Sequence, residues 1–204
     1  MSDQNVIDGR TARRNRNRDA VLEAMIELTR ETNREPAIED IAHRAGVSYR
    51  SVYRYFDDRT DLMLAAIGRV MGDVWPIFDI ERLGEGPLDQ RISRFVASRV
   101  AAYRELAPLT RVVVRRASTD TTVLGEYDRV RAYIREQLEA QFAPELARID
   151  PTERRSVVAA IDVMFQFEAL DFLGRHDAMT DEAMIEVLER HIRAHLGAAP
   201  ATAD

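Results

Sequence analysis

Residues 46–56 read Gly46-Val47-Ser48-Tyr49-Arg50-Ser51-Val52-Tyr53-Arg54-Tyr55-Phe56, a run of hydroxyls, phenols and guanidiniums spaced by three apolar anchors, Val47, Val52 and Phe56. None of these groups forms a nucleophile–base pair, so their chemistry is recognition. Guanidiniums and hydroxyls donate to phosphate oxygens and to base edges, and a short helix carrying them at its exposed N-terminal end fits a major groove. A helix with a merely solvated outer face calls for Glu and Lys, not for Tyr49, Tyr53 and Tyr55.

The elements that must hold this stretch follow from local rules. Residues 38–45 make a short helix, Gly46 supplies a turn that a Cβ would resist, and Ser48 caps a second short helix ending near Phe56. Ile41, Ala42, Val47, Val52 and Phe56 then fall on the inner faces, against a first helix striped by Val21, Ala24, Met25 and Leu28. Helical periodicity continues downstream, as in Val123, Tyr127, Val130, Ile134 and Leu138, with no strand-type alternation, hairpin signal or internal repeat. The expectation is an all-α chain of about nine helices, at 12–31, 37–44, 48–55, 59–80, 88–106, 108–117, 122–142, 151–174 and 181–196. Asp58 with Asp61, Asp150 before Pro151, and Thr180 before two acids are the caps that fix helix starts. Residues 83–87, with two Gly and a Pro, read as a hinge, and the Ala-rich tail from Gly197 reads as fraying.

Composition narrows the function classes. The chain has 204 residues, a net charge of −6 and no cysteine, so disulfides, thiol nucleophiles and thiolate metal sites are excluded. Residues 1–60 carry 11 Arg against 11 acids, whereas residues 61–204 carry 18 Arg against 24, so the negative excess lies wholly in the second part. Arg10, Arg13, Arg14, Arg16 and Arg18 make a basic arm with no acid among them, a footprint suited to a polyanion. No leader-like apolar segment and no long uncharged run occurs, so a cytoplasmic protein without membrane contact is expected. There is no Gly-rich phosphate loop, nucleophile elbow or His-carboxylate metal motif. No catalysis, cofactor or metal is expected, and His191 and His195 read as packing or rim residues. Asp162, Glu168 and Asp171 are scattered acids that could form a general acid/base pair, and caps or Arg residues are their alternative partners.

The segment AIEDIAHRAGVSYRSVYRYFDDRTDLMLAAI resembles the DNA-binding signature of TetR-type transcriptional regulators, and the resemblance extends over residues 14–68. Asp40-Ile41-Ala42, Ala45-Gly46-Val47-Ser48, the block from Val52 to Phe56, and Arg59 where the family usually has Lys carry it. It implies a homodimer on a double-stranded DNA operator, most simply a repressor released by a small-molecule effector. The expected division is a DNA reader at 1–60, a ligand-binding and dimerisation part at 61–204, and a connecting helix at 59–80 acting as a lever. Arg13 and Arg14 of the arm, together with Glu39, Ser48, Tyr49, Arg50, Ser51, Tyr53, Tyr55 and Arg59, are the implied DNA-binding set. Within it Tyr53, Tyr55 and Arg59 fall to phosphates, and Glu39, Tyr49, Arg50 and Ser51 to bases. Where the family commonly has a Thr pair this chain has Pro36-Ala37, which lacks the two hydroxyls, and the basic arm is the replacement for those phosphate contacts. A helical protein-interaction module with a non-functional helix-turn-helix is the alternative.

In the second part, residues 157–173 are apolar on nearly every side, which a helix covered on one face cannot explain. That architecture pairs the last two long helices with their copies across a two-fold axis, with Met184, Leu188, His191, Ile192 and His195 as the seam. Trp75, Phe78, Tyr103, Tyr127, Met164, Phe165 and Phe172 are expected around an effector cavity, and a desolvated Glu168 in it would select cationic lipophiles.

Overall fold

The computed structural model describes residues 3–197, with the side chains of residues 3–8 and of Arg10 left aside; the fraying assigned to the tail beyond Gly197 lies outside the described residues. Among the described residues ten α-helices follow one another, and no strand occurs: α1 (Asp3–Thr32), α2 (Ile38–Arg44), α3 (Tyr49–Tyr55), α4 (Arg59–Phe78), α5 (Leu88–Ala117), α6 (Thr121–Gln141), α7 (Ala143–Leu146), α8 (Pro151–Met164), α9 (Phe167–Asp171) and α10 (Asp181–Leu196). A π-helical turn, Phe172–His176, follows α9. The all-α expectation holds, and so do the four caps. Ser48 Oγ accepts from the Ser51 amide, Asp58 from Asp61, Asp150 from Thr152, and Thr180 from Ala183.

Three boundaries differ from the sequence reading. The basic run is not an arm but the first turns of α1, which begins at Asp3 rather than at residue 12. Helix α5 runs through Pro108 without a break, because losing one ladder bond is outweighed by the buried face formed by Ala102, Tyr103, Ala107 and Val112. The helix expected over 151–174 is instead broken at Phe165 and Gln166, where Gln166 adopts an extended backbone (φ −69°, ψ 147°). The break lets Val158, Ile161 and Phe165 on one side, and Leu170 and Leu173 on the other, all reach the core.

The chain divides into two compact units, Met1–Asp73 with Pro108–Tyr127, and Val74–Ala107 with Asp128–Asp204. In the first, α1 buries Val21, Leu22, Met25 and Ile26, and α2 and α3 contribute Ile38, Ile41, Val52 and Phe56. The second has its own core, in which Phe95 meets Phe142 and Phe165 edge-on at 5.6 and 5.0 Å. The seam residues Met184, Leu188 and Ile192 of α10 are 0% exposed and belong to this core. They pack within their own chain, which corrects their assignment to a face between two copies.

Candidate nucleic-acid interface

The helix-turn-helix is built from α2, the turn at Gly46 and α3. Gly46 has φ +64°, a left-handed conformation that residues with a Cβ resist. Its amide donates to the His43 carbonyl, and the Val47 amide donates to that of Ala42, so the turn closes on backbone bonds. Ser48 opens α3 by accepting from the Ser51 amide at 3.2 Å, and the two hydroxyls lie 2.8 Å apart. Arg44 clamps α2 onto α1 with two parallel bonds to Glu31, both 2.9 Å, and a third to Glu27. That guanidinium holds the Glu31 carboxyl below its ordinary range.

With Val52, Tyr55 and Phe56 turned inward, α3 leaves Tyr49, Arg50, Tyr53 and Arg54 exposed, with Ser48 at its mouth and Ser51 half-buried. Tyr49 and Tyr53 lie one turn apart with ring centroids at 5.2 Å and hydroxyls at 3.5 Å. The Tyr53 hydroxyl pushes the Tyr49 phenol above its ordinary value, so Tyr49 remains a protonated donor near neutral pH. Exposed Glu39, on α2, and exposed Arg13 and Arg14, on α1, complete the set in the open.

Two members stand differently. Tyr55, expected at a phosphate, is only 8% exposed, and its hydroxyl accepts from Asn17 at 3.2 Å and from Arg54 at 3.0 Å. These two donors pull its phenol below the ordinary value, and the residue ties α3 to α1 rather than reaching outward. Arg59 donates twice to Glu35 Oε1, at 3.0 and 2.8 Å, and to the Pro36 carbonyl at 3.2 Å. Sequence reasoning missed Asn17 as a support, and read Arg18 only as part of the basic run, whereas its guanidinium lies 4.9 Å above the Phe56 ring. Their signal was visible only as polar residues on the inward side of α1.

Of the residues expected around an effector, Tyr127 belongs to the first unit, and the other seven to the second. Phe78, Tyr103 and Phe165 are core residues, and Met164 packs half-buried against that core. Trp75 and Phe172 are exposed, Trp75 against Tyr133 at 4.7 Å and Phe172 against His176 at 4.6 Å. Glu168 is not the desolvated carboxylate expected of it: its side chain is 49% exposed and receives Arg131 at 2.8 Å. Asp162 is bonded by Gln166 and Arg135, and Asp171 by Tyr103 and Arg175, so these three acids do not converge as an acid/base pair. Burial, against the pull of Arg135, raises the Asp162 carboxyl. His191 meets the Ala160 carbonyl at 2.9 Å and packs on His195, as read from the sequence.

A helix-turn-helix of this kind, in described residues that are helical without strands, is the arrangement of DNA-binding regulators of transcription. Residues 21–66 match the family profile described as bacterial regulatory proteins, tetR family. The HTH-type transcriptional repressor KstR of Mycolicibacterium smegmatis is 26% identical over 176 residues, covering 85% of this chain and 84% of that protein. KstR of Mycobacterium tuberculosis is 26% identical, over 85% of this chain and 78% of its own length. The fold is shared with a transcriptional regulator from Rhodococcus sp. Rha1, at a TM-score of 0.70, 19% identity, and 91% and 99% coverage of the two chains. A tetR-family regulator from Streptomyces coelicolor superposes at a TM-score of 0.64, 21% identity, and 87% and 80% coverage. Residues 21–66 therefore carry a tetR-type DNA-binding segment, and the similarities together support a transcriptional regulator of the TetR type.

Proposed function

We propose that this regulator is a cytoplasmic homodimeric repressor that holds a double-stranded DNA operator and releases it when a small molecule binds the second part of the chain. The exposed Tyr49, Arg50, Tyr53 and Arg54 face on a capped recognition helix carries the reading. The repressor names of the curated relatives support its sign. Residues 1–60 act as the reader and residues 61–204 bind effector and partner copy, with α4 connecting them. Arg50, Tyr49, Ser51 and Glu39 read base edges; Tyr53, Ser48, Arg13 and Arg14 hold phosphates, joined by Arg59 when it leaves Glu35. A dimer places its two recognition helices in successive major grooves, about 34 Å apart. An effector that binds better to a dimer of different spacing shifts the population away from DNA. Electrophoretic mobility shift on the DNA upstream of the chain's own gene tests this. A specific complex that dissolves with effector is expected, and binding no tighter than to random DNA would overturn it in favour of an interaction module.

A further inference from the structure

Helix α5 carries two buried arginines eight residues apart, and they are treated very differently. Arg91 is 3% exposed and fully matched: Nη1 and Nη2 donate to the Glu145 carboxylate, Nη1 also to the Gln141 carbonyl, and Nε to the Gly86 carbonyl. Arg99 is 2% exposed and has no such carboxylate. Its Nη2 donates to the neutral Gln137 Oε1, while Nε and Nη1 are buried with no acceptor. The guanidinium lies between two rings, 4.7 Å from Phe95 and 5.4 Å from Phe78. A buried cation is tolerated when a counter-charge satisfies it, and aromatic faces return only part of its lost hydration. Burial pushes the Arg99 guanidinium down to about 10, still charged near neutral pH.

The contacts of Arg99 run on, through Gln137 and Tyr133, to a half-exposed ring. Gln137 Nε2 donates to the Phe78 carbonyl at 2.8 Å and to the Tyr133 hydroxyl at 2.9 Å, and Tyr133 stacks on Trp75, which is 47% exposed. The geometry points to an effector that carries a carboxylate on an apolar body, entering past Trp75 and Tyr133 and placing its anion on an unmatched N–H of Arg99. A carboxylate accepts a charge-assisted bond from a guanidinium N–H, and the Phe78 and Phe95 rings suit the apolar remainder. This inference rests on the effector-responsive reading above and gives that effector its charge, opposite to the one a desolvated Glu168 would have chosen.

Thermal shift and calorimetry on the full-length protein test it with decanoate, 4-phenylbutyrate, and the amide and amine of each. Carboxylates are expected to raise the melting temperature and bind, and their amides and amines not to. Arg99→Met, which removes an unmatched buried charge, is expected to melt no lower than the parent without probe and to lose at least tenfold in carboxylate affinity. Arg99→Lys, which keeps the charge on a more compact ammonium, is expected to retain binding at an intermediate affinity. Amine or amide binding equal to or tighter than carboxylate binding, or carboxylate affinity unchanged in Arg99→Met, overturns the proposal and leaves the effector reading standing. No response to any of the six probes, with operator binding also unaffected, overturns both.

Discussion

Arg59 has to exchange an ion pair with Glu35 for a phosphate, so its contribution to DNA affinity is a difference between two partners. Arg59→Ala is expected to weaken operator and random DNA alike and to flatten the salt dependence by about one unit. Glu35→Gln removes the competing partner and is expected to tighten both complexes; fluorescence anisotropy across a salt series reads the two variants together. Arg50, exposed on α3, behaves otherwise: Arg50→Ala is expected to relax preference at one operator position by about 1 to 3 kcal/mol and leave random DNA nearly unchanged. Equal losses on both DNAs would remove Arg50 from the base-reading set. At the far end of the chain, burial and then His191 hold the His195 imidazole below its ordinary 6.5. The unfolded chain therefore takes up the proton more readily, and the stability His195 contributes is whole above that value and lost as pH falls below it. The melting temperature of His195→Gln is expected to fall less steeply than the parent's between about pH 7 and about pH 5.

At the scale of elements, the turn between α2 and α3 offers a clean test of backbone strain. A Cβ built on Gly46 meets nothing within 4 Å, so Gly46→Ala adds no clash and only the left-handed φ of +64° is penalised. A loss of about 1 to 2 kcal/mol in denaturant unfolding is expected, with weaker operator binding as the register of α3 loosens. This turn, its Ser48 cap and the inner residues Ile41, Val52 and Phe56 were legible because each depends on a few adjacent residues. Pro108 misled because the sequence displays the lost hydrogen bond but not the burial of Ala107 and Val112 that outweighs it. The break at Phe165 and Gln166 was invisible for the opposite reason: no Gly, Pro or cap residue marks it, and it exists to turn two short apolar pieces towards one core. Tyr55 carries the same side chain as Tyr53, and only its place against α1 separates a structural hydroxyl from an exposed one.

For the whole molecule, the proposed dimer needs apolar surface that one chain leaves open. Leu188 and its seam are spent on the chain's own core, whereas Val163 and Phe172 are 57% and 52% exposed. Val163→Glu is expected to shift the sedimenting species from dimer to monomer at micromolar concentration with helical circular dichroism retained. Leu188→Glu is expected instead to lose helical signal, because it places a charge in a site with no exposure. A dimer that survives Val163→Glu and Phe172→Glu together would move the interface elsewhere. Trp75 is the only tryptophan in the 204 residues, and it leans on Tyr133, which is bonded to the glutamine that meets Arg99. Ultraviolet excitation above the tyrosine band thus lights a single, half-exposed indole beside the proposed entrance, and its emission colour and quenching follow whatever passes there without any dye attached.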